Sequence, residues 1–176
     1  MTFFPSLSAN AGLAEIQAPY RDIWLLWGKF SQALMRGPGP LSIAERELVA
    51  AYVSGLNDCE YCFKDHTMAA EAFGIDADVF NNLMDDIDSS SVDERMKPIL
   101  RFVRKLTLTP AKMVQADADA VYEAGWEEGA LHFAIAVCGR YNFINRLVMG
   151  HGVEYTESHT EIWKNGQGLA YEILED

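Results

Sequence analysis

Basic residues and long apolar runs are both in short supply in this chain of 176 residues. No stretch approaches the roughly 18 consecutive apolar residues that a helix needs to cross a bilayer. The 14 Lys and Arg residues are outnumbered by 26 Asp and Glu residues, which gives a formal net charge of -12. Because phosphate groups are repelled by such a surface, we expect neither a nucleic-acid partner nor a membrane partner.

Cysteine is scarce as well, with three residues in the whole chain. A small, odd number does not make the disulfide framework of a secreted domain. The first ten residues, MTFFPSLSAN, have neither a basic region nor a long apolar region, so we expect no signal peptide. These features predict a cytoplasmic protein, and in that compartment a C-x-x-C pair carries redox chemistry or binds a metal.

Period-two alternation of apolar and polar residues, the pattern of a strand, does not persist anywhere in the sequence. Apolar residues instead recur every three or four positions, as on one face of a helix. The clearest apolar face lies in residues 20–36 and comprises Ile23, Trp24, Trp27, Phe30, Leu34 and Met35. We predict one all-α domain over residues 1–176, with its core at about 20–154 and a helical tail at 155–176.

Capping signals set the predicted helix bounds in the first half of the chain. Ser42 and Glu45 have the spacing of a capping box and start one helix, which Asn57-Asp58 ends. Asn57-Asp58 also supplies the N-cap of the next helix, over residues 59–73, and Gly74 ends that helix.

The second half of the chain is predicted to be helical in the same way. Ser91 and Glu94 have the spacing of a second capping box, and Thr109-Pro110 ends the helix that it starts. Further helices are predicted over residues 77–85, 113–124, 127–149 and 160–175. The helix pair ending in FGID resembles the pair ending in HGVE, which is consistent with a bundle of two related helical-hairpin halves.

Two cysteines, a histidine and a glutamate lie together between Glu47 and His66. Cys59 and Cys62 are three positions apart, which on a helix is within the Cα separation of about 7 Å that a disulfide needs. His66 lies one helical turn beyond Cys62, where it can accept the thiol proton. Glu47 can orient His66, as a third group orients the base of a catalytic triad. This set predicts thiol redox chemistry.

Two arguments point to different attacking thiols. The positive end of the helix dipole favours a low pKa at Cys59. The neighbouring base favours Cys62, and a base in the right geometry decides nucleophilic catalysis more often than the dipole. We therefore favour Cys62 as the attacking thiol and Cys59 as the resolving one. A zinc site with Glu47 as an additional ligand is the alternative, while Cys138 is predicted to be inert core.

The spacing of Glu47, Cys59, Cys62 and His66 resembles the motif of the AhpD-like alkylhydroperoxidases of the carboxymuconolactone decarboxylase superfamily. The segments AAEAFGID and YNFINRLVMGHGVE, the second with its Asn145-Arg146 pair, look like the peroxidase-related branch of that family. The resemblance covers about residues 41–154.

The resemblance implies an all-helical AhpD-like bundle that forms homo-oligomers. It implies a thiol-dependent peroxidase that reduces organic hydroperoxides with no cofactor and no metal. In this family pattern Cys62 attacks the peroxide, Cys59 resolves the product as a disulfide, and Glu47 and His66 form a proton relay. An external dithiol or a redox protein then restores the two thiols.

Two other functions remain open. The first is a lactone decarboxylase-like lyase or isomerase, although the decarboxylase branch lacks the cysteine pair; the second is a non-enzymatic redox sensor. Tyr61 stands where the best-characterised relatives carry a histidine, and a tyrosine with an ordinary pKa of about 10 is a poor base. The implied relay is therefore shorter. Four apolar residues near the motif are expected to pack in the core or to line a peroxide pocket: Tyr52, Phe63, Met68 and Phe73.

Overall fold

The computed structural model describes residues 2–8 and 11–156. Over these residues it contains α-helices, short 3-10 helices and turns, with no strand. The helices are α1 (Leu13–Gln17), α2 (Arg21–Arg36), α3 (Ile43–Leu56), α4 (Glu60–Ala72), α5 (Met96–Leu108), α6 (Gln115–Glu123) and α7 (Glu128–Gly150). The predicted all-α class is confirmed, and the predicted helix over residues 160–175 lies outside the described residues.

Helix α3 is the centre of the bundle. Every residue from Arg46 to Ser54 is buried, and the helix packs against α2, α4, α5 and α7. A helix that is buried on all sides carries its polar side chains into the core. Glu47, predicted from sequence as a site residue, is therefore fully enclosed in protein.

A buried arginine ties the end of α2 to the start of α3. The guanidinium of Arg46 donates hydrogen bonds to the backbone oxygens of Leu41 at 2.8 Å, Leu34 at 3.0 Å and Gly37 at 2.6 Å. These carbonyls lie at the end of α2 and in the segment that connects it to α3, where no helical N–H reaches them. The predicted capping box of Ser42 and Glu45 is confirmed at the start of α3.

The chain enters α4 in a way that the sequence did not predict. The N-cap is Cys59 itself, with no side-chain capping bond, so the prediction that Asn57-Asp58 supplies the N-cap was wrong. Asp58 instead makes the turn with a φ of 54°, a left-handed conformation that aspartate adopts more readily than most residues. Cys59 is thereby placed at the very start of the helix that carries Cys62 and His66.

Two further local predictions were wrong. Ser91 and Glu94 do not form a capping box: α5 begins at Met96 after Arg95, which makes no side-chain cap. The carboxylate of Glu94 instead accepts a hydrogen bond from Lys97 at 2.5 Å. The segment predicted as a helix over residues 77–85 forms only a 3-10 helix, Ala77–Asn81, followed by turns.

Helices α4 and α7 end with the same backbone pattern, at the similar segments FGID and HGVE. Gly74 and Gly152 both have positive φ, at 106° and 66°. The next residue in each case donates back to the helix, Ile75 to Ala70 at 2.9 Å and Val153 to Val148 at 3.1 Å. This is the Schellman motif. The relation between the two halves stays a prediction.

Among the helices of the described residues, none has both the length and the apolar content to span a membrane.

Candidate functional site

The glutamate and the histidine of the motif are in direct contact. Oε2 of Glu47, on α3, lies 2.5 Å from Nδ1 of His66, on α4. The other carboxylate oxygen, Oε1, accepts a hydrogen bond from the guanidinium of Arg36 at the end of α2. Arg36 also lies over the ring of Phe73, 4.8 Å from its centroid. The Glu47 carboxylate is therefore held between two cationic or hydrogen-bonding groups from different helices.

Burial alone would raise the pKa of Glu47, because a charged carboxylate loses its hydration in the core. The charge and hydrogen bond of His66, followed by those of Arg36, outweigh burial and lower the pKa below its ordinary value. Glu47 is consequently ionised at neutral pH. An ionised carboxylate only accepts hydrogen bonds, so Nδ1 of His66 carries the proton and Nε2 is left as the accepting nitrogen.

Tyr141 on α7 completes the surroundings of the histidine. Its hydroxyl lies 3.3 Å from Nδ1 of His66, and the two rings meet edge to face with centroids 4.4 Å apart. Both side chains are buried. The imidazole is thereby fixed by α3 on one side and by α7 on the other.

Cys59 and Cys62 are both buried and are not joined as a disulfide. Their side chains are hydrogen-bonded to each other, which lowers the pKa of Cys59 to about 7 even though burial opposes this. The same contact, together with burial, raises the pKa of Cys62 well above its ordinary value. The pair thus releases its first proton near neutral pH and keeps the second, with the Cys62 S–H donating to the Cys59 sulfur.

This distribution of charge differs from the sequence expectation. His66 was expected to lower the pKa of Cys62, but the dominant influence on each sulfur is the other sulfur. Cys59 is the N-cap of α4. The positive end of the helix dipole favours a thiolate there, which is consistent with the lower pKa of Cys59.

A pocket of about 580 Å³ opens beside Cys59. Its lining includes Phe63, Met84, Arg104 and Leu108 from three parts of the chain. Of the four apolar residues considered for a peroxide pocket, Phe63 lines this cavity and Tyr52, Met68 and Phe73 do not. An organic molecule of moderate size can therefore approach the dithiol from the Cys59 side.

Tyr61 cannot serve as a base here. Burial raises its pKa further above the ordinary value, and the neighbouring Asp65 and cysteine charges act in the same direction. Its ring instead packs edge to face against Tyr155, with centroids 6.4 Å apart.

The remaining cysteine and one further histidine stand apart from this centre. Cys138 is buried beside the Thr107 hydroxyl at 3.3 Å, and burial raises its pKa. His132 is exposed. Within residues 2–8 and 11–156, no three His, Cys, Asp or Glu side chains come together in a way that could hold a metal ion.

Comparison with known proteins gives one family match. The model of the carboxymuconolactone decarboxylase family matches residues 25–105, a range that contains Glu47, Cys59, Cys62 and His66. The fold agrees with a crystal structure from Ralstonia eutropha JMP134, described as an alkylhydroperoxidase AhpD core and a peroxidase-related protein, with a TM-score of 0.76. Residues 25–105 thus match the carboxymuconolactone decarboxylase family, and the chain has the fold of AhpD-like proteins.

The likeness to the Ralstonia protein extends over 89% of this AhpD-like chain and 80% of the other, at 20% sequence identity. A peroxidase-related protein from Silicibacter sp. TM1040 is similar over 90% of this chain and 93% of its own, with a TM-score of 0.71 and 23% identity. No curated protein sequence matches the chain.

Three residues of this AhpD-like site were not assigned a role from the sequence: Arg36, Tyr141 and Asn145. Arg36 is the last residue of an ordinary amphipathic helix, α2, so no local pattern marks it. Tyr141 and Asn145 are buried polar residues one turn apart in α7, and that spacing is a signal that could have been used.

Proposed function

We propose that this protein is a thiol-dependent peroxidase, in which Cys59 and Cys62 cycle between dithiol and disulfide while reducing organic hydroperoxides. The observation that carries the proposal is the hydrogen-bonded thiol pair, whose pKa at Cys59 is lowered to about 7 beside an organic-sized pocket. The family match over residues 25–105 and the peroxidase-related description of proteins with a similar fold support the same chemistry.

In the proposed cycle the Cys62 sulfur attacks the distal oxygen of the hydroperoxide and the O–O bond breaks. The Cys59 thiolate accepts the Cys62 proton, since a base with a pKa near 7 is well matched to neutral pH. The departing alkoxide takes up a proton that the His66 relay supplies from solvent and leaves as the alcohol, and Cys62 becomes a sulfenic acid. Cys59 then displaces water from that sulfur, which forms the disulfide.

An external dithiol reduces the disulfide and is itself oxidised, so the net reaction converts hydroperoxide and dithiol into alcohol, water and the oxidised reductant. The Glu47–His66 pair supports the cycle as a proton relay. Nε2 of His66 is the accepting nitrogen, and the carboxylate stabilises the imidazolium that forms when it is protonated. A reducing cytoplasm, the predicted location, would supply the dithiol.

The substrate class follows from the pocket. Its lining combines the apolar side chains of Phe63, Met84 and Leu108 with charged residues, Asp58, Glu60 and Arg104. The apolar part suits a hydroperoxide with a hydrocarbon body better than hydrogen peroxide. The apolar contact would hold the organic group while the O–O bond faces the dithiol.

The test is consumption of cumene hydroperoxide with excess dihydrolipoamide, followed by the yield of the alcohol. We expect many turnovers per chain and loss of activity after alkylation with iodoacetamide. Consumption that stops at one equivalent would indicate a redox sensor. Lactone conversion that survives alkylation, without peroxide turnover, would indicate a lyase. Either result would contradict the proposal.

We also propose that the protein self-associates through the outer face of α2. Apolar side chains here are unusually exposed, with Ile23 at 64%, Leu26 at 69% and Phe143 of α7 at 48%. The ring of Trp27 packs against Phe143, 4.7 Å between centroids, so the face is continuous. A second copy fits it because α2 and α7 are packed together at this face and exposed apolar surface of this kind is buried in homo-oligomers.

Leu26→Glu should convert the assembly to monomers, because a carboxylate on this face is costly to desolvate in an interface. Size-exclusion chromatography with light scattering gives the mass. Val114→Glu is the control, since Val114 is 59% exposed outside this face and its substitution should leave the mass unchanged. A monomeric wild type, or an unchanged mass for Leu26→Glu, would refute the proposed face.

A further inference from the structure

Asn145 is a buried polar residue that the proposed cycle does not use. It lies on α7 and has no exposed surface. Its side chain is hydrogen-bonded to both Cys59 and Cys62. A fully buried amide in contact with two reactive sulfurs either donates hydrogen bonds to them or accepts hydrogen bonds from them. A donor stabilises the thiolate and lowers the thiol pKa, whereas an acceptor stabilises the neutral thiol and raises it.

The direction of these hydrogen bonds is fixed by a chain of neighbours. Nδ2 of Asn57 lies 3.1 Å from the backbone oxygen of Val53, which can only accept, so this end of the Asn57 amide is the nitrogen. The same nitrogen lies 3.0 Å from Oδ1 of Asn145. The oxygen end of the Asn145 amide is therefore turned towards Asn57.

A second neighbour leads to the same orientation. The hydroxyl of Ser54 uses its one proton to donate to the backbone oxygen of Ala50 at 2.8 Å. Its oxygen is left to accept, and Nδ2 of Asn145 lies 3.0 Å away. The amide nitrogen thus faces Ser54 and the sulfurs, with one N–H for the serine and the other for the dithiol.

We propose that Asn145 is a further catalytic residue, whose amide N–H donates to the Cys59–Cys62 sulfurs and stabilises the negative charge that they carry. The proposal rests on the dithiol of the proposed function, but not on the identity of its oxidant. The hydrogen bond lowers the pKa of both thiols, as a donor to the charged form must. By the same argument it stabilises the reduced form against the disulfide.

The experiment measures the rate of iodoacetamide alkylation against pH, with the modified cysteine identified by peptide mass so that Cys138 is counted separately. Asn145→Leu keeps the approximate shape and removes the donor. We expect the midpoint of the alkylation profile to rise by about one pH unit, and the rate at pH 7 to fall about fivefold to tenfold. An unshifted midpoint in the folded variant overturns the proposal.

Asn142→Leu is the matched control. Asn142 lies on the same helix and accepts from the same Asn57 nitrogen, at 3.2 Å, but the sulfur it contacts is that of Cys138, at 3.4 Å. Its midpoint should equal that of wild type, and a rise as large as that of Asn145→Leu would show a general loosening of α7 and overturn the specific role.

Asn57→Ala covers the case in which Asn145→Leu does not fold, as judged by circular dichroism. It removes the group that orients the Asn145 amide, so the midpoint should rise by a smaller amount, and no rise counts against the proposal. Because alkylation needs no peroxide, the outcome is separate from the proposed function. A protein that fails to turn over hydroperoxide can still show the shift, and an active peroxidase can still lack it.

Discussion

Replacement of Cys62 by serine should abolish hydroperoxide turnover, lowering the rate by about 1,000-fold or more. Serine keeps a hydrogen-bond donor beside Cys59 but cannot form a sulfenic acid. Cys59→Ser should also stop turnover, for a different reason: the sulfenic acid on Cys62 would form once, more slowly without its neighbouring base, and would then have no partner for the disulfide. Peroxide consumption under dihydrolipoamide measures both variants.

The sulfenic acid distinguishes the two roles. With one equivalent of peroxide and the trapping reagent dimedone, Cys59→Ser should be labelled at Cys62, whereas Cys62→Ser should remain unlabelled. The reverse pattern would assign the attack to Cys59, whose lower pKa and position at the pocket make it the competing nucleophile. Cys138→Ser is the control and should keep the wild-type rate, since Cys138 is buried beside Thr107, apart from the dithiol.

The pH dependence of the first turnover follows from the same pair. Deprotonation favours the reaction, and the pKa of Cys59 is lowered to about 7. The rate of disulfide formation should therefore rise through about pH 7 and level off above it. Two pH units below the midpoint it should be lower by about 100-fold. Stopped-flow measurement of tryptophan fluorescence over this range would record the profile.

Glu47→Gln should lower the rate of peroxide turnover by about 100-fold while leaving the dithiol open to alkylation. The substituted amide cannot stabilise an imidazolium at His66, and it leaves the buried Arg36 without its carboxylate. The loss of one partner from such a buried pair costs about 3–5 kcal/mol of stability, so turnover is compared at a temperature where both proteins are folded. Equal rates for Glu47→Gln and wild type would remove Glu47 from the proposed relay.

The control for this change is Glu45→Gln, two residues earlier on α3. Glu45 accepts a hydrogen bond from the Ser42 backbone N–H at 2.6 Å as part of the capping box, and glutamine can accept the same bond. Both the turnover and the melting temperature of this variant should stay close to wild type. A large loss of activity here would show that any charge change on α3 affects the site.

Glu47 should also leave a signature in acid stability. Its pKa is lower in the folded protein than its ordinary value of 4.5. A carboxylate of this kind stabilises the fold at pH values above about 4.5, and that contribution is lost as the pH falls through the folded-state pKa. The difference in the free energy of unfolding between wild type and Glu47→Gln should therefore be largest near neutral pH and shrink towards pH 3 in urea titrations.

The start of α4 shows how far local sequence patterns reach. The break after α3 and the helix that follows were both predictable, because helix periodicity and turn residues are local. The choice of Cys59 as the N-cap was not, since Asn57 and Asp58 have the stronger capping preference. Asn57 is used instead to bind Asn145 of α7, and that tertiary contact outweighed its local preference.

The prediction of a capping box at Ser91 and Glu94 was wrong for a similar reason. Its spacing fits a capping box, but Glu94 pairs with Lys97, whose side chain is largely buried. A lysine in that position needs a partner, and the sequence between the two residues does not reveal that it is buried. Spacing motifs therefore predict helix ends well only where the surroundings leave the capping residues free to act.

The sequence by itself determined the all-α class, the positions of most helices, and the four-residue set of Glu47, Cys59, Cys62 and His66. These depend on apolar periodicity and fixed spacing, which are properties of neighbouring residues. Only the tertiary structure decided that Arg36 holds the Glu47 carboxylate, that Tyr141 lies against His66, and that Asn145 reaches the two sulfurs. Those residues belong to α2 and α7, and their positions depend on which helix faces pack against α3 and α4, for which one sequence carries no local signal.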